Sequence, residues 1–264
     1  MTRVRERKLR ADLMMVERNL VESRAKAQAL IMAGRVSVDG ERLDKSGTLV
    51  KSNACIVVRR TDSDYVSRGG DKLAGAIACF QPHGLVLQDA VAADFGASTG
   101  GFVDCLLQHG VARVHAIDVG VGLLHQRIRN DPRVIVRERT NARYVTAQTL
   151  NEHVDLVVID ASFISIDKLL NAARDVLKPE GQLVALIKPQ FEAGRADATK
   201  GRGVIRDEAL RQRLIDEAMR DISSHGFVVV ADARSVVTGP KGNIEHFVFA
   251  NVLAKHAGHA GDQG

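Results

Sequence analysis

Asp94-Phe95-Gly96-Ala97-Ser98-Thr99-Gly100-Gly101-Phe102, entered from the apolar run 90–93, reads as strand, tight glycine turn and helix. Glycine lets bare backbone approach a ligand and tolerates positive φ, so the amides of such a turn face whatever lies at the helix N-terminus. One helix and one strand later, Val114-His115-Ala116-Ile117 ends in Asp118, 22 residues after Gly96, a placement suited to hydrogen bonding a ribose diol. Together the two features imply a nucleoside ligand. The stretch is not G-x-G-x-x-G, and with no Gly-Lys-[Ser/Thr] it cannot build a phosphate-cradling P-loop. Taken alone, the glycines would also suit a tight structural turn.

Outward from this stretch the chain alternates strand and helix. The pattern predicts a helix from Ser67 to Phe80, stopped before Pro82 and Gly84, then strands at 90–95, 113–118, 133–137, 154–159 and 182–187. Helices are expected at 101–109, 122–129, 165–177 and 208–225, and final strands at 227–234 and 245–251. Such alternation implies an α/β fold with a mostly parallel sheet, helices on both faces, and a ligand off the carboxyl ends of the strands. Those ends carry Asp94, Asp118, Asp160 and Lys188. Lys72 stands on the helix before the sheet, and Glu245 follows Gly239-Pro240-Lys241-Gly242-Asn243. A lysine ending an apolar strand is costly to bury unless paired, and neighbouring strand ends offer carboxylates.

The length of 264 residues, 45% hydrophobic and 26% charged, suits one large or two unequal globular domains. No apolar segment follows the charged start and no run approaches membrane-spanning length, so a cytoplasmic location without membrane contact is expected. Three cysteines, Cys55, Cys79 and Cys105, without C-x-x-C spacing argue against disulfides and a zinc site, so no metal is expected. Charge is uneven: residues 1–60 hold 14 Lys+Arg against 7 Asp+Glu, while the remainder is slightly acidic. A basic head on a near-neutral body suits a polyanion-binding appendage.

Within the head, Leu9 to Asn19 reads as a helix with Leu9, Leu13, Val16 and Leu20 on one face. Ser23 is placed as N-cap of a second helix over 24–33, stopped by Gly34. Strands follow at 35–43, with an Asp39-Gly40 turn, and at 54–58. The stretch Leu20-Val21-Glu22-Ser23-Arg24 with Ala29-Leu30-Ile31-x-Ala33-Gly34-x-Val36-x-Val38-Asp39-Gly40 resembles the αL RNA-binding module first described in a ribosomal small-subunit protein. That resemblance implies Arg24, Lys26 and Arg35 as RNA contacts, giving affinity more than sequence choice.

The glycine turn with Asp94 before it resembles the S-adenosylmethionine (SAM) motif of class I methyltransferases, whose domain is Rossmann-like. Lys72, Asp160, Lys188 and Glu245 look like the Lys-Asp-Lys-Glu tetrad of FtsJ-type RNA ribose 2′-O-methyltransferases. With the stretches Val66-Ser67-Arg68-Gly69-Gly70-Asp71-Lys72-Leu73 and Lys188-Pro189-Gln190-Phe191-Glu192, the chain is similar to the TlyA family, also called hemolysin A, to about residue 251. The resemblance implies four segments: a small α+β αL-type RNA-binding domain over 1–60, a hinge at 61–66, an FtsJ-like methyltransferase domain over 67–254 and a tail at 255–264.

It also implies roles. Asp94, Gly96, Ala97, Ser98, Thr99, Gly100, Gly101, Phe102 and Asp160 would line SAM, Asp118 its ribose diol and Asn141 its adenine edge. Lys188 would engage a ribose 2′-hydroxyl, as base if neutral or as orienting donor if charged. The implied activity is methylation of ribosomal RNA, with cytidine the family's usual target base, in the large subunit and also the small; ribosomal subunits are the expected partners and a monomer the expected state. The stretch 193–204, with Arg195, Lys200 and Arg202, reads as a basic loop over RNA. Two readings compete: an RNA-binding assembly factor with an inert methyltransferase half, and a pore-forming haemolysin, which lacks visible spanning segments. A nicotinamide oxidoreductase stands further off.

Overall fold

A computed structural model describes residues 8–18, 20–58, 65–193, 203–239 and 241–253. Most of the expected hinge, the basic stretch at 194–202 and the tail at 255–264 lie outside the described residues. The head comprises β1 (Lys8–Arg10), α1 (Ala11–Glu17), α2 (Arg24–Met32), β2 (Val36–Val38), β3 (Glu41–Arg42), β4 (Leu49–Lys51) and β5 (Ile56–Val58). β1 pairs antiparallel with β4, and β2 lies between β3 and β5 in a three-stranded sheet. Ser23 caps α2, its hydroxyl accepting from the Lys26 amide at 3.2 Å.

The first helix differs from expectation. Leu9 lies in β1 opposite Val50, so the helix starts at Ala11. Its buried seam is Ala11, Met14 and Met15, while Leu13 is 36% exposed. Strand pairing removes Leu9 from the helical period, and the apolar face therefore rotates by one residue.

The body carries α3 (Arg68–Phe80), β6 (Val91–Phe95), α4 (Gly101–Gln108), β7 (Arg113–Ile117), α5 (Gln126–Arg129) and β8 (Val134–Arg137). These are followed by α6 (Ala147–Leu150), β9 (Val154–Ile159), α7 (Asp167–Val176), β10 (Leu177–Ile187), α8 (Pro189–Glu192), α9 (Glu208–Ser224), β11 (Phe227–Arg234) and β12 (His246–Val252). One seven-stranded sheet runs β11-β12-β10-β9-β6-β7-β8. β6 to β10 are mutually parallel, and β12 is antiparallel to both its neighbours.

Alternation along each strand sends side chains into two separate cores. Ala92, Val158, Phe247 and Phe249 face α3 and α4, with Leu73, Ile77, Phe80 and Leu106. Ala93, Val157 and Val248 face α7 and α9, with Leu170, Ile215 and Ile222. Each of the valines, leucines, isoleucines and phenylalanines among them contributes about 1.5–3 kcal/mol on full burial. The helix expected over 122–129 shrinks to α5, because Gly122 adopts φ +70° in the preceding turn.

The cysteine expectation is overturned. Cys55, just before β5, and Cys79, on α3, form a disulfide, and Cys105 is buried and free. Linear spacing hides the pair because it is the packing of β5 on α3 that brings them together. Val57 joins the body's core and Glu41 forms an ion pair with Arg234, so the head is fixed on α3 and β11.

A cross-link between residues separated by 24 positions restricts the unfolded chain by about 3.5 kcal/mol on the chain-entropy account. Denatured protein prepared without reductant should therefore react with a thiol reagent at Cys105 alone, and at all three cysteines after reduction. Cys79→Ser should lower the melting temperature measured under non-reducing conditions.

Candidate active site

β6 delivers Asp94 and Phe95 to the sheet's carboxyl edge, and the chain turns sharply at Gly96, which has φ +97°. A Cβ on Gly96 would lie 3.0 Å from the Asp160 carbonyl oxygen, so backbone meets backbone there. At Gly101 a Cβ would fall 2.3 Å from Ser67 Oγ and 2.9 Å from the Gly70 amide nitrogen. Only glycine lets the start of α4 abut the start of α3 in this way.

In front of this turn opens a cavity of about 880 Å³. Gly96, Ala97, Ser98, Thr99, Gly101 and Phe102 form one wall, and Ser67, Arg68, Gly69 and Lys72 of the α3 region another. Asp160, Ser162 and Phe163 enter from the end of β9, Lys188, Gln190 and Phe191 from the end of β10, and Glu245 from before β12.

Two lysine–carboxylate pairs converge on it. Lys72 Nζ donates to Glu245 Oε2 at 2.5 Å, with both side chains more than nine-tenths buried. Lys188 Nζ lies 2.5 Å from Asp160 Oδ1 and also donates to Ser162 Oγ at 3.0 Å and, more weakly, to the Asp160 carbonyl at 3.4 Å. A Cβ on Gly239 would collide with Glu245 Oε1 at 2.6 Å, so that glycine makes room for the carboxylate. A buried pair is weak evidence for net stability, but removing one partner strands the other at a cost of about 3–5 kcal/mol.

The remaining expected cofactor residues are placed unevenly. Asp94 is fully buried beneath the turn, and among the described residues neither of its carboxylate oxygens has a hydrogen-bond partner. Burial first, then the charges of Asp160 and Asp118, push its carboxyl well above the usual range. Asp118 lies on the far side of the Ala97-Ser98 step, in a small cleft lined also by Leu123, Leu124 and Val136. Its oxygens accept from the Ser98 amide at 2.8 Å and the Gly120 amide at 2.7 Å. Gly100 packs behind the turn against Leu124 and Ile128. Asn141 stands apart and exposed, its Oδ1 accepting from the Arg143 amide at 3.1 Å in a turn after β8.

These residues fit SAM. Its positive charge complements three carboxylates on adjacent strand ends, one with two orphaned oxygens, while the cleft beside Asp118 offers apolar surface for a ring. Among the described residues no cluster of His, Cys, Asp and Glu could hold a metal ion.

On the head, Arg24 and Lys26 are exposed on α2 and Arg35 is half-buried. Asp12, which sequence reasoning missed, is fully buried on α1 and accepts from Arg10 Nε at 3.0 Å, Arg10 Nη2 at 2.9 Å, Arg24 Nε at 2.9 Å and Gln28 Nε2 at 2.9 Å. The Arg10 hydrogen bonds, with those of Gln28 and Arg24, hold its carboxyl well below the ordinary range. Asp12 thus fixes two arginines that remain partly open to solvent. Ser162 was missed as well, although its place two residues past Asp160 was the available signal.

The sequence pattern of the FtsJ-like methyltransferases matches residues 65–252, and that of the S4 domain matches residues 9–54. The 16S/23S rRNA (cytidine-2′-O)-methyltransferase TlyA of Mycobacterium tuberculosis is 41% identical over 95% of this chain and 92% of its own. Hemolysin A of Brachyspira hyodysenteriae is 40% identical over 91% of this chain and all of its own. A solved structure of a candidate hemolysin from Streptococcus thermophilus superposes with TM-score 0.69 at 36% identity, over 93% of this chain and 89% of that one.

The buried pair gives a direct test of the cavity's construction. Lys72→Met should lower stability by about 3–5 kcal/mol in denaturant unfolding. Lys72→Met combined with Glu245→Leu should recover most of that loss, since no buried charge is then left alone.

Proposed function

The chain belongs to the FtsJ-like methyltransferases and joins that fold to an S4 domain, and on this premise we propose that it transfers a methyl group from SAM to a ribose 2′-hydroxyl of cytidine in ribosomal RNA. The observation that carries the proposal is the convergence of Lys72–Glu245 and Lys188–Asp160, from four separate elements, on one cavity beside the glycine turn. The relatives' names agree with this substrate and extend it to both ribosomal subunits. We assign 1–60 to RNA binding, 61–66 to the hinge, 67–254 to transfer and 255–264 to a tail, in a monomer acting in the cytoplasm. Among the described residues no helix is long and apolar enough to cross a membrane.

SAM, when bound, supplies a methyl group on a positive sulfonium. Asp94, the turn 96–102, Asp118 and Asp160 would hold it, with Asn141 at the adenine side. Lys188 is the residue that orients the acceptor hydroxyl. Of its three contacts the one to the Asp160 carbonyl is longest at 3.4 Å, and that N–H is the one free to turn to an entering oxygen. Asp160, with Oδ1 engaged by Lys188, keeps its second oxygen for the proton the hydroxyl sheds. Lys72 and Glu245 fix the opposite wall. On the head, Arg24, Lys26 and Arg35 would hold RNA phosphates, with Arg10 and Arg24 held in place by Asp12.

The decisive experiment incubates the protein with methyl-labelled SAM and, separately, small subunits, large subunits and naked ribosomal RNA, then hydrolyses the RNA with alkali. Label in alkali-resistant dinucleotides is expected, because a 2′-O-methyl ribose blocks cleavage, and Lys188→Ala should abolish it while SAM still binds. Label in mononucleotides would mean base methylation. SAM binding with no label would favour the inert assembly factor.

Asp94 yields a second prediction, with opposite signs for binding and stability. Above the ordinary carboxyl range the unfolded chain has released a proton that folded Asp94 still holds, so stability of the cofactor-free protein falls as pH rises toward the raised value. Asp94→Asn should therefore melt higher than the parent at neutral pH, with the gap closing in acid. The same variant should weaken SAM binding by calorimetry, by about tenfold, or 1.4 kcal/mol.

A further inference from the structure

Two segments face each other at the mouth of the cavity: the loop from Asp160 to Ile166 between β9 and α7, and the single turn α8. Three contacts tie them. Lys188, entering α8, holds Asp160 and Ser162. The rings of Phe191 and Phe163 lie 5.1 Å apart between centroids. Glu192, closing α8, accepts from Ser165 Oγ at 2.6 Å and from the Ile166 amide at 3.0 Å.

The loop needs support from outside itself. Phe163 sits at φ +66°, a left-handed conformation that bulky side chains avoid, and its side chain is 90% exposed. The residue at the start of α7 is Ile166, which has no side-chain acceptor to cap the helix. Glu192 supplies that cap from another element. Of the three ties, it alone uses no group that must exchange partners with substrate and no ring open to solvent.

Its surroundings do not favour a carboxylate for any other reason. Burial, followed by the charges of Asp221 and Asp167, raises the Glu192 carboxyl above its usual range. The two hydrogen bonds to the loop are what oppose these effects.

We propose that Glu192 is a positioning residue that clamps the Asp160–Ile166 loop to α8 and so fixes Asp160 and Lys188 for transfer. The inference rests on the methyl-transfer reading above and adds to it a group that touches neither reacting partner.

The test compares Glu192→Ala, Glu192→Gln and Ser165→Ala with the parent, using single-turnover methyl transfer to ribosomal subunits, SAM binding and hydrogen exchange of the Ile166 amide. Glu192→Ala should slow transfer by about tenfold to a hundredfold through misplacement of the reacting groups, leave SAM affinity within about twofold and speed exchange at Ile166. Glu192→Gln keeps a carbonyl oxygen for the Ile166 amide and turns its amide N–H to Ser165 Oγ, whose hydroxyl can accept as well as donate, so it should recover transfer to within about threefold of the parent. Ser165→Ala removes one of the two ties and should fall between them, which keeps the test intact if Glu192→Ala does not fold.

Faster exchange with parental transfer would overturn the proposal, leaving Glu192 a helix cap alone. Glu192→Gln as slow as Glu192→Ala would also overturn it, because charge and not acceptor geometry would then matter. If the parent itself transfers no methyl group, the function fails separately, and unchanged exchange at Ile166 in Glu192→Ala would then reject the clamp on its own.

Discussion

Two buried lysines, each neutralised by one carboxylate at 2.5 Å, set the demands that the rest of the body meets. An ammonium group taken from water without a partner costs several kcal/mol, and an ångström of separation forfeits much of the pairing. The elements bearing the four groups must therefore be held tightly in register. Aromatic packing does this. Phe80 of α3 stacks on Phe249 of β12 at 5.6 Å between centroids, linking the element that carries Lys72 to the strand that Glu245 leads into. Phe102 of α4 stacks on Phe247 at 6.0 Å and ties the glycine turn to the same strand. Parallel pairing of β9 with β10 sets the distance between Asp160 and Lys188 in the same way.

α3 serves both halves of the molecule. Its start abuts Gly101 at the turn, Lys72 reaches the cavity one turn on, and Cys79 near its end joins the head through Cys55. Gly75 lies against Val236, so the middle of the helix is fixed on the segment after β11. The head's Val57 packs into the core that α3 covers. Asp104 of α4 accepts from the Val66 amide at 2.8 Å just before α3 begins, so the chain leaving the head is anchored on the helix that follows the turn. A displacement of the head is thereby opposed by the same helix that positions a cavity lysine.

What the sequence revealed and what it concealed divide along physical lines. The strand–helix alternation, the glycine turn and the strand-end placement of Asp94, Asp118, Asp160 and Lys188 follow from local periodicity and chirality, and the fold keeps them within a residue or two, except that α5 starts four residues late and β10, expected from 182, starts at Leu177. Contacts between elements distant in sequence were hidden. Met14 and Met15, rather than Leu13, line the head's core because β1 takes Leu9 out of the helix. Cys55 meets Cys79, and Arg24 meets Asp12, only through packing. Asn141 shows the opposite limit: its residue type suits both an adenine edge and a turn, and its side chain holds the turn. Glu192 lay within a stretch already singled out, yet its partners belong to another loop.

The three carboxylates at neighbouring strand ends show how such a site chooses its ligand. Asp118 accepts from two backbone amides and Asp160 is charge-paired with Lys188, but among the described residues Asp94 has no partner and is opposed by both neighbours. In the ligand-free fold this carboxyl keeps its proton, and the surrounding cores leave it no room to turn outward. A neutral nucleoside entering the cavity would gain the turn's backbone and leave ionisation of Asp94 as unfavourable as before. A cation would gain the backbone and relieve the repulsion together, so the arrangement favours a positively charged ligand over a neutral one of the same shape. By the same reasoning, a ligand that loses its positive charge in the reaction is held less firmly afterwards than before, and the site that draws it in also lets it go.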